Sequence, residues 1–292
     1  MIECSERIVS VGTLYVVATP IGNLEDFSAR GARVLAQADL IAAEDTRHSA
    51  KLLQHYGIHT KVVSIHDHNE RAKTPQLLEI LRAGKSIALV SDAGTPLLSD
   101  PGFHLVRAAR GANIAVVPIP GPCAAITALS VAGLPTDRFV FEGFPPPRAT
   151  ARCAAFAALR SEPRTIVFYE SSHRIVDSLA DMVAEFGSGR PATLARELTK
   201  RFETIRDATL AELHAYLVEH EIERLGEFVV LVHGAADSDR ADVDVEGDRV
   251  LRVLLEELPL KVAVKLAARL TGTHKNALYD RALVLKAAPP KT

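Results

Sequence analysis

Polar and turn-forming residues follow five short apolar runs in the first half of the chain. These segments are TPIGNLED at 19–26, EDTR at 44–47, HDHNER at 66–71, SDAGTP at 91–96 and PGPCA at 120–124. Glycine and proline let backbone amides and carbonyls approach a ligand closely, and neighbouring carboxylates can accept protons. Ordinary turn formation is the alternative, because Gly, Pro, Asn and Asp are also the usual turn residues. Five such segments together favour a site for a nucleotide-like molecule.

Several other chemistries lack their motifs. No G-x-G-x-x-G follows the first apolar run, and Gly84-Lys85-Ser86 resembles the end of a phosphate-binding P-loop without its first glycine. No G-x-S-x-G is present, which argues against an α/β-hydrolase. His66, His68 and the nearby carboxylates could be metal ligands, but no spacing fixes a coordination geometry, so we predict no metal. The three cysteines are too few and scattered for a disulfide framework or a zinc site.

Alternating strands and helices are predicted to position these segments. Apolar runs at 13–18, 40–43, 61–65, 86–90 and 114–117 are separated by amphipathic stretches, the first of which has Ser28 as its N-cap. Near-continuous apolar strands joined by helices are typical of a mostly parallel sheet covered on both faces. Because open α/β sheets bind ligands at the carboxyl ends of their strands, the five segments should converge.

A second strand and helix series predicts a second α/β domain. Its strands are expected at 138–142, 165–169, 192–196 and 227–232. The predicted organisation is therefore an N-terminal domain at 12–122, a second domain at 123–236, an acidic linker at 237–248 and a basic helical tail at 249–292. The RELTK segment at 196–200 ends a strand of the second domain, and it is either a surface ion-pair cluster or a phosphate contact.

Composition excludes the disordered class, because 48% of the 292 residues are hydrophobic and 24% are charged. Residues 111–136 carry no charge, but the prolines at 118, 120, 122 and 135 are incompatible with a membrane helix. Residues 1–12 lack the apolar core of a secretory signal. We therefore predict a cytoplasmic protein without a membrane anchor.

The tail has a strong positive charge, with nine Lys or Arg residues against three acidic residues at 249–292. Lys261, Lys265 and Arg269 share one helix face, and Lys275 and Arg281 follow. Such a surface predicts a clamp for RNA phosphates. The alternatives are a solvated helix and a packing role for the tail's many leucines and valines.

Seven ordered motifs resemble one protein family. They are GTLYVVATPIGNLEDFSARGARVL at 12–35, DLIAAEDTRHSAKLL at 39–53, ALVSDAGTPLLSDPG at 88–102, PGPCAA at 120–125, GLPTDRF at 133–139, FYESSHR at 168–174 and RELTKRFE at 196–203. This set resembles the ribosomal small-subunit methyltransferase I group of the tetrapyrrole-methylase superfamily. Two departures are Cys123, where the family usually has Ser, and Ser172, where it usually has Pro.

The resemblance implies an α/β fold of two parallel or mixed-sheet domains with S-adenosylmethionine in the cleft between them, plus a small C-terminal helical segment. It also implies a homodimer that methylates the 2′-oxygen of a cytidine ribose in the decoding region of 16S rRNA, within the 30S subunit. The implied cofactor-binding residues are Pro20, Asp92, Gly94, Thr95, Pro96, Leu98, Cys123, Ala124, Tyr169, Arg196 and Glu227. The expected RNA-binding residues are Arg47, Lys200, Lys261, Lys265, Arg269, Lys275 and Arg281.

The proton acceptor for the 2′-hydroxyl is expected among the polar residues of the cleft. The candidates are Glu44, Asp45, His66, Glu70, Glu170 and Lys200, and we predict Glu44 and Glu170. Positioning alone, with no dedicated base, is the alternative mechanism. Two other functions remain open, a non-catalytic RNA-binding or ribosome assembly factor and a methyltransferase acting on a porphyrinoid.

Overall fold

The computed structural model describes residues 12–235, 245–273 and 275–287. The predicted absence of a secretory signal rests on residues 1–12, of which residues 1–11, with Cys4, lie outside the described residues. Most of the predicted acidic linker, residues 237–244, also lies outside them.

The first sheet contains five parallel strands in the order β3-β2-β4-β1-β5. The strands are Thr13–Val17 (β1), Leu40–Ala43 (β2), Val62–Ser64 (β3), Ile87–Val90 (β4) and Ala115–Ile119 (β5). The helices are Ala29–Gln37 (α1), Thr46–His55 (α2), Glu70–Arg82 (α3) and Phe103–Gly111 (α4). Every residue of β2 and β4 is buried, as expected for strands covered on both faces. Ser28 caps α1 as predicted, since its hydroxyl accepts a hydrogen bond from Gly31 N.

The second sheet is mixed, with the order β6-β7-β10-β8-β9. Its strands are Phe139–Gly143 (β6), Thr165–Ser171 (β7), Pro191–Arg196 (β8), Thr204–Thr209 (β9) and Glu227–Val232 (β10). Its helices are Ala124–Val131 (α5), Ala149–Ala158 (α6), Ile175–Phe186 (α7) and Leu210–Glu219 (α8). Only β6 and β7 are parallel, while the other pairs are antiparallel. The strand β9 was not predicted, because it lies at the sheet edge and its polar sequence has no buried residue.

The two sheets meet through one apolar cluster. Helix α5 packs against β7 and β10 of the second sheet. In this cluster Ile21, from the loop after β1, is buried together with Ala125, Leu129, Leu198 and Val229. The loops at the carboxyl edge of the first sheet are therefore held against the second sheet, and a cleft forms between them.

The tail is a three-helix unit with a core of its own. The helices are Val245–Glu257 (α9), Leu260–Thr271 (α10) and Lys275–Ala287 (α11). Leu251, Val264, Ala267, Leu278 and Ala282 are buried among these helices, so these apolar residues have packing partners within the tail. Among the described helices, none combines the length and apolar character needed to cross a membrane.

The predicted linker end at residue 248 is wrong, because α9 already begins at Val245. Asp248 binds Arg252 Nε at 2.7 Å and Arg281 Nε at 2.6 Å. The last acidic residues of the supposed linker are therefore the first turn of a helix, where negative charge is favourable.

Candidate active site

A cavity of about 320 Å³ lies between the two sheets at the carboxyl edge of the first. Most of the predicted catalytic and cofactor-binding residues line it. From the first sheet's side these are Glu44, Asp92, Gly94, Thr95, Leu98, Cys123 and Ala124, and from the second sheet's side Tyr169, Glu170 and Glu227. The structure thus brings together residues from five distant parts of the sequence around one space.

Backbone hydrogen bonds fix the loop after β4 at the cavity wall. Thr19 N donates to Gly94 O at 2.8 Å, and Gly94 N donates to Thr19 O at 3.1 Å. Gly94 has a φ of 80°, which glycine adopts without strain. Leu97 and Ser99 also have positive φ values, 75° and 67°. Such strained backbone persists where the surroundings enforce it and is found at functional sites.

Three carboxylates, Glu44, Asp92 and Asp100, line the same part of the cavity. Asp92 N donates to Glu44 Oε2 at 3.3 Å, and Asp45 N donates to Asp92 Oδ1 at 3.0 Å. Burial raises the pKa of Glu44, and the negative charge of Asp92 adds to this effect. Burial raises the pKa of Asp100 to about 7, supported by the negative charges of Glu44 and Asp92. Asp100 was not among the predicted site residues.

Aromatic rings form the opposite wall of the cavity. Tyr169 Oη accepts a hydrogen bond from Ala125 N at 3.1 Å. The Tyr169 ring makes edge contacts with Phe141 and Phe144, at centroid distances of 4.9 and 5.5 Å. Burial raises the pKa of Tyr169, so its hydroxyl stays neutral. This wall suits a planar, largely apolar part of a ligand.

Both carboxylate oxygens of Glu170 are occupied. Oε1 accepts from Ser171 N at 2.8 Å and from Arg174 Nε at 2.9 Å. Oε2 accepts from Arg174 Nη2 at 2.9 Å and from Ser178 Oγ at 2.5 Å. Glu170 is also 1% exposed. These four donors fit a structural role at the start of α7, which differs from the predicted role as proton acceptor.

Three residues expected at the cofactor do not line this cavity. Arg196 Nη1 binds Glu223 Oε2 at 2.6 Å, and its Nε donates to Leu225 O at 2.7 Å, so the guanidinium secures the turn before β10. Pro20 lines a smaller neighbouring cavity. Pro96 lines neither cavity, although the residues before it do.

Three of the expected RNA contacts are engaged within the chain. Arg47 pairs with Asp45 at 2.7 Å, and Arg281 with Asp248. Lys200 Nζ lies 2.8 Å from Glu197 Oε1 and 2.7 Å from Glu227 Oε2. The remaining expected contacts, Lys261, Lys265, Arg269 and Lys275, are exposed on the tail.

Within the described residues, no group of three or more His, Cys, Asp or Glu side chains is arranged to hold a metal ion. His66 Nε2 lies 2.8 Å from Asn69 Nδ2, which ties the ring to its own loop.

Comparisons with known proteins identify the family. Residues 13–214 match the family described as tetrapyrrole (corrin/porphyrin) methylases, and residues 241–286 match the RsmI C-terminal HTH domain. Ribosomal RNA small subunit methyltransferase I of Pseudomonas aeruginosa is 55% identical over 276 residues, covering 94% of this chain and 98% of that protein. The protein of the same name from Haemophilus influenzae is 52% identical over 270 residues, covering 92% and 95%.

Solved structures of the same fold are more distant in sequence. A cobalt precorrin-4 methyltransferase matches with a TM-score of 0.59 and 16% identity, covering 78% of this chain and 98% of that one. A diphthine synthase matches with a TM-score of 0.57 and 13% identity, covering 76% and 90%. These comparisons confirm the resemblance seen in the ordered motifs: the chain belongs to the tetrapyrrole methylase family and, within it, to the ribosomal RNA small subunit methyltransferase I group.

Proposed function

We propose that this protein is a cytoplasmic enzyme that transfers a methyl group from S-adenosylmethionine to a cytidine 2′-oxygen in the decoding region of 16S rRNA, within the 30S subunit. The observation that carries the proposal is the cavity between the sheets, lined by the backbone-rich loop after β4, an aromatic wall and carboxylates. The close relatives are named for small-subunit ribosomal RNA, which supports an RNA substrate.

The residues around the cavity fit this cofactor. When bound, S-adenosylmethionine supplies an activated methyl group on a positively charged sulfonium. Glu44 and Asp92 would supply negative charge for such a cation, and Tyr169 and Phe144 would offer an apolar surface for a planar base. A Cβ on Gly121 would lie 3.1 Å from Ala18 Cβ, so the Pro-Gly-Pro loop packs closely onto the end of β1.

We propose Glu44 as the acceptor of the 2′-hydroxyl proton. Its one hydrogen bond among the described residues comes from Asp92 N, so lone pairs remain to accept another. Its raised pKa makes it a better base than an ordinary exposed carboxylate. The negative charge of Asp92 also favours the proton on Glu44.

We further propose that the tail recruits the RNA. Lys261, Lys265, Arg269 and Lys275 are exposed on α10 and α11, and the match to an HTH domain supports a nucleic-acid role. The homodimer stays a prediction from the family resemblance.

Methyl transfer tests the proposed function. Purified protein should move label from S-adenosylmethionine to 30S particles, and the modified nucleotide should resist alkaline cleavage at its 3′ phosphodiester because its 2′-oxygen is methylated. Naked 16S rRNA and a porphyrinoid acceptor serve as parallel substrates. RNA binding without transfer would favour the non-catalytic assembly factor, and transfer to the porphyrinoid alone would favour the small-molecule enzyme.

Neutralising one face of α10 tests the tail. Lys261→Gln, Lys265→Gln and Arg269→Gln together should weaken RNA binding and reduce the salt slope of log affinity by roughly 2 to 3, since each phosphate contact contributes about 0.7 to 0.9. Cofactor binding, measured by calorimetry, should be unchanged. The control is Lys61→Gln, Lys85→Gln and Arg110→Gln, an equal charge change at exposed positions of the first domain. Equal salt slopes for both triple variants would contradict a tail clamp.

A further inference from the structure

A second cavity, of about 230 Å³, opens next to the first. It lies between the loop after β1 and helix α2 and is lined by Thr19, Pro20, Gly22, Leu24, His48, Ser49, Lys51, Leu52, Ser91 and Asp92. Asp92 lines both cavities. A group bound in the second cavity would therefore be adjacent to the reacting centre.

The helix side of this cavity carries the positive charge. His48 and Lys51 are exposed on α2 and form part of its lining. The Lys51 side chain makes no ion pair or hydrogen bond with any residue that the structure describes. Arg47, which the sequence favoured for RNA contact, is instead held by Asp45. The cation available at this cavity is therefore Lys51, which lies one helical turn after Arg47 on α2.

The opposite side of the cavity is polar and acidic. Thr19 and Ser91 are buried, and Thr19 Oγ1 donates to Ser91 O at 3.2 Å. Asp92 has one carboxylate oxygen engaged by Asp45 N. The two sides together suit a ligand with an anionic end and hydroxyl groups, because cations bind the anion and a carboxylate accepts from hydroxyls.

The absence of a side chain at Gly22 lets the loop between β8 and β9 of the second domain approach this cavity closely. A Cβ at this position would clash with Lys200 Cγ and lie 3.0 Å from Thr199 Oγ1, so a larger residue would push away the loop between β8 and β9. Thr199 Oγ1 is buried without a hydrogen-bond partner among the described residues. Both domains thus contribute to the surroundings of the second cavity.

We propose that the second cavity seats a phosphate and ribose unit of the RNA strand next to the methylated nucleotide, with Lys51 and His48 contacting the phosphate. The inference rests on the proposed function and names the part of the chain that holds the substrate strand beside the reacting centre. A free inorganic phosphate or the carboxylate of the cofactor could bind the same two side chains, and the experiment separates these sources.

Lys51→Gln and His48→Gln in the full-length protein test this assignment, with Lys85→Gln as the matched control on an exposed lysine at the amino end of β4. We expect Lys51→Gln to raise the half-saturating concentration of 30S substrate about tenfold and to lower the salt slope by about 0.7 to 0.9, the value of one phosphate contact. His48→Gln should act in the same direction. Lys51→Arg should retain most of the affinity.

Three measurements give separate answers. RNA affinity is measured by filter binding, which needs no turnover and therefore reports on the second cavity independently of catalysis. Absence of methyl transfer by the wild-type protein would overturn the proposed function. Wild-type RNA affinity in Lys51→Gln would overturn the cavity assignment alone. Weaker S-adenosylmethionine binding by Lys51→Gln, with RNA affinity intact, would assign the cations to the cofactor. Inorganic phosphate should compete with RNA for binding to the cofactor-free protein. Loss of this competition in Lys51→Gln would support the phosphate contact.

Discussion

Glu44→Gln is expected to lower the single-turnover rate of methyl transfer by roughly 10²- to 10⁴-fold, the usual contribution of a positioned general base. Glutamine keeps the size of the side chain and an oxygen that can accept from Asp92 N, which donates to Glu44 Oε2 at 3.3 Å. The substitution therefore removes the proton-accepting charge with little change in shape. Rapid-quench measurement at saturating cofactor and 30S substrate gives the rate of the chemical step.

The pH dependence separates a base from a merely structural carboxylate. Wild-type rates should fall as the pH is lowered through the raised pKa of Glu44, because the protonated form cannot accept a proton. Asp92→Asn removes the negative charge that helps to raise the pKa of Glu44, so it should lower that pKa and move this fall to lower pH. Glu25→Gln, at an exposed position, serves as the control. A Glu44→Gln rate near that of Glu25→Gln would favour positioning without a dedicated base.

Much of the fold was predictable because burial follows the apolar pattern. The strand β2 has the predicted bounds 40–43, and each of its residues is buried. The edge strand β9 has the sequence TIRDAT and no buried residue, so hydrophobic periodicity gives no signal for it. The start of α9 was missed because Asp248 is neutralised by Arg252 and Arg281. An arginine 33 residues away in the chain cannot be identified as a partner from local sequence.

The convergence of the loops was predictable from topology, whereas the roles of individual side chains were not. Parallel strands bring their carboxyl ends to one edge, and the pairing of β2 with β4 makes Glu44 and Asp92 neighbours. Glu170 and Tyr169 are adjacent in β7, and successive side chains in a strand point to opposite faces. Tyr169 reaches α5, whereas Glu170 reaches α7. Asp100 lines the cavity directly after Leu97 and Ser99, whose positive φ values the sequence does not indicate.

Glu170 has the environment of a structural ion pair at the beginning of α7. Its carboxylate is fully buried, and the Arg174 side chain that binds it is 25% exposed. Ser178 Oγ and Ser171 N supply the other donors. Arg174 Nη2 also donates to Pro145 O at 2.7 Å, which links this cluster to the loop after β6.

Glu170→Ala is therefore expected to reduce the free energy of unfolding by about 3 to 5 kcal/mol, as when one partner of a buried ion pair is removed. The loss arises because the buried Ser178 hydroxyl and the partly buried Arg174 guanidinium lose their acceptor. Urea denaturation followed by far-UV circular dichroism measures the change. Glu185→Ala, which removes the surface pair between α7 and Arg160, is the matched control and should cost less than about 1 kcal/mol.

Glu170→Gln distinguishes this structural role from the proton acceptor that the sequence favoured. The amide keeps one acceptor oxygen but lacks the charge, so the variant should be less stable than wild type and more stable than Glu170→Ala. At a low temperature where it is folded, its single-turnover rate of methyl transfer should stay within a few-fold of wild type, since Glu44 is intact. If Glu170→Gln had the free energy of unfolding of the wild type and a rate as low as that of Glu44→Gln, Glu170 would be assigned as a proton acceptor.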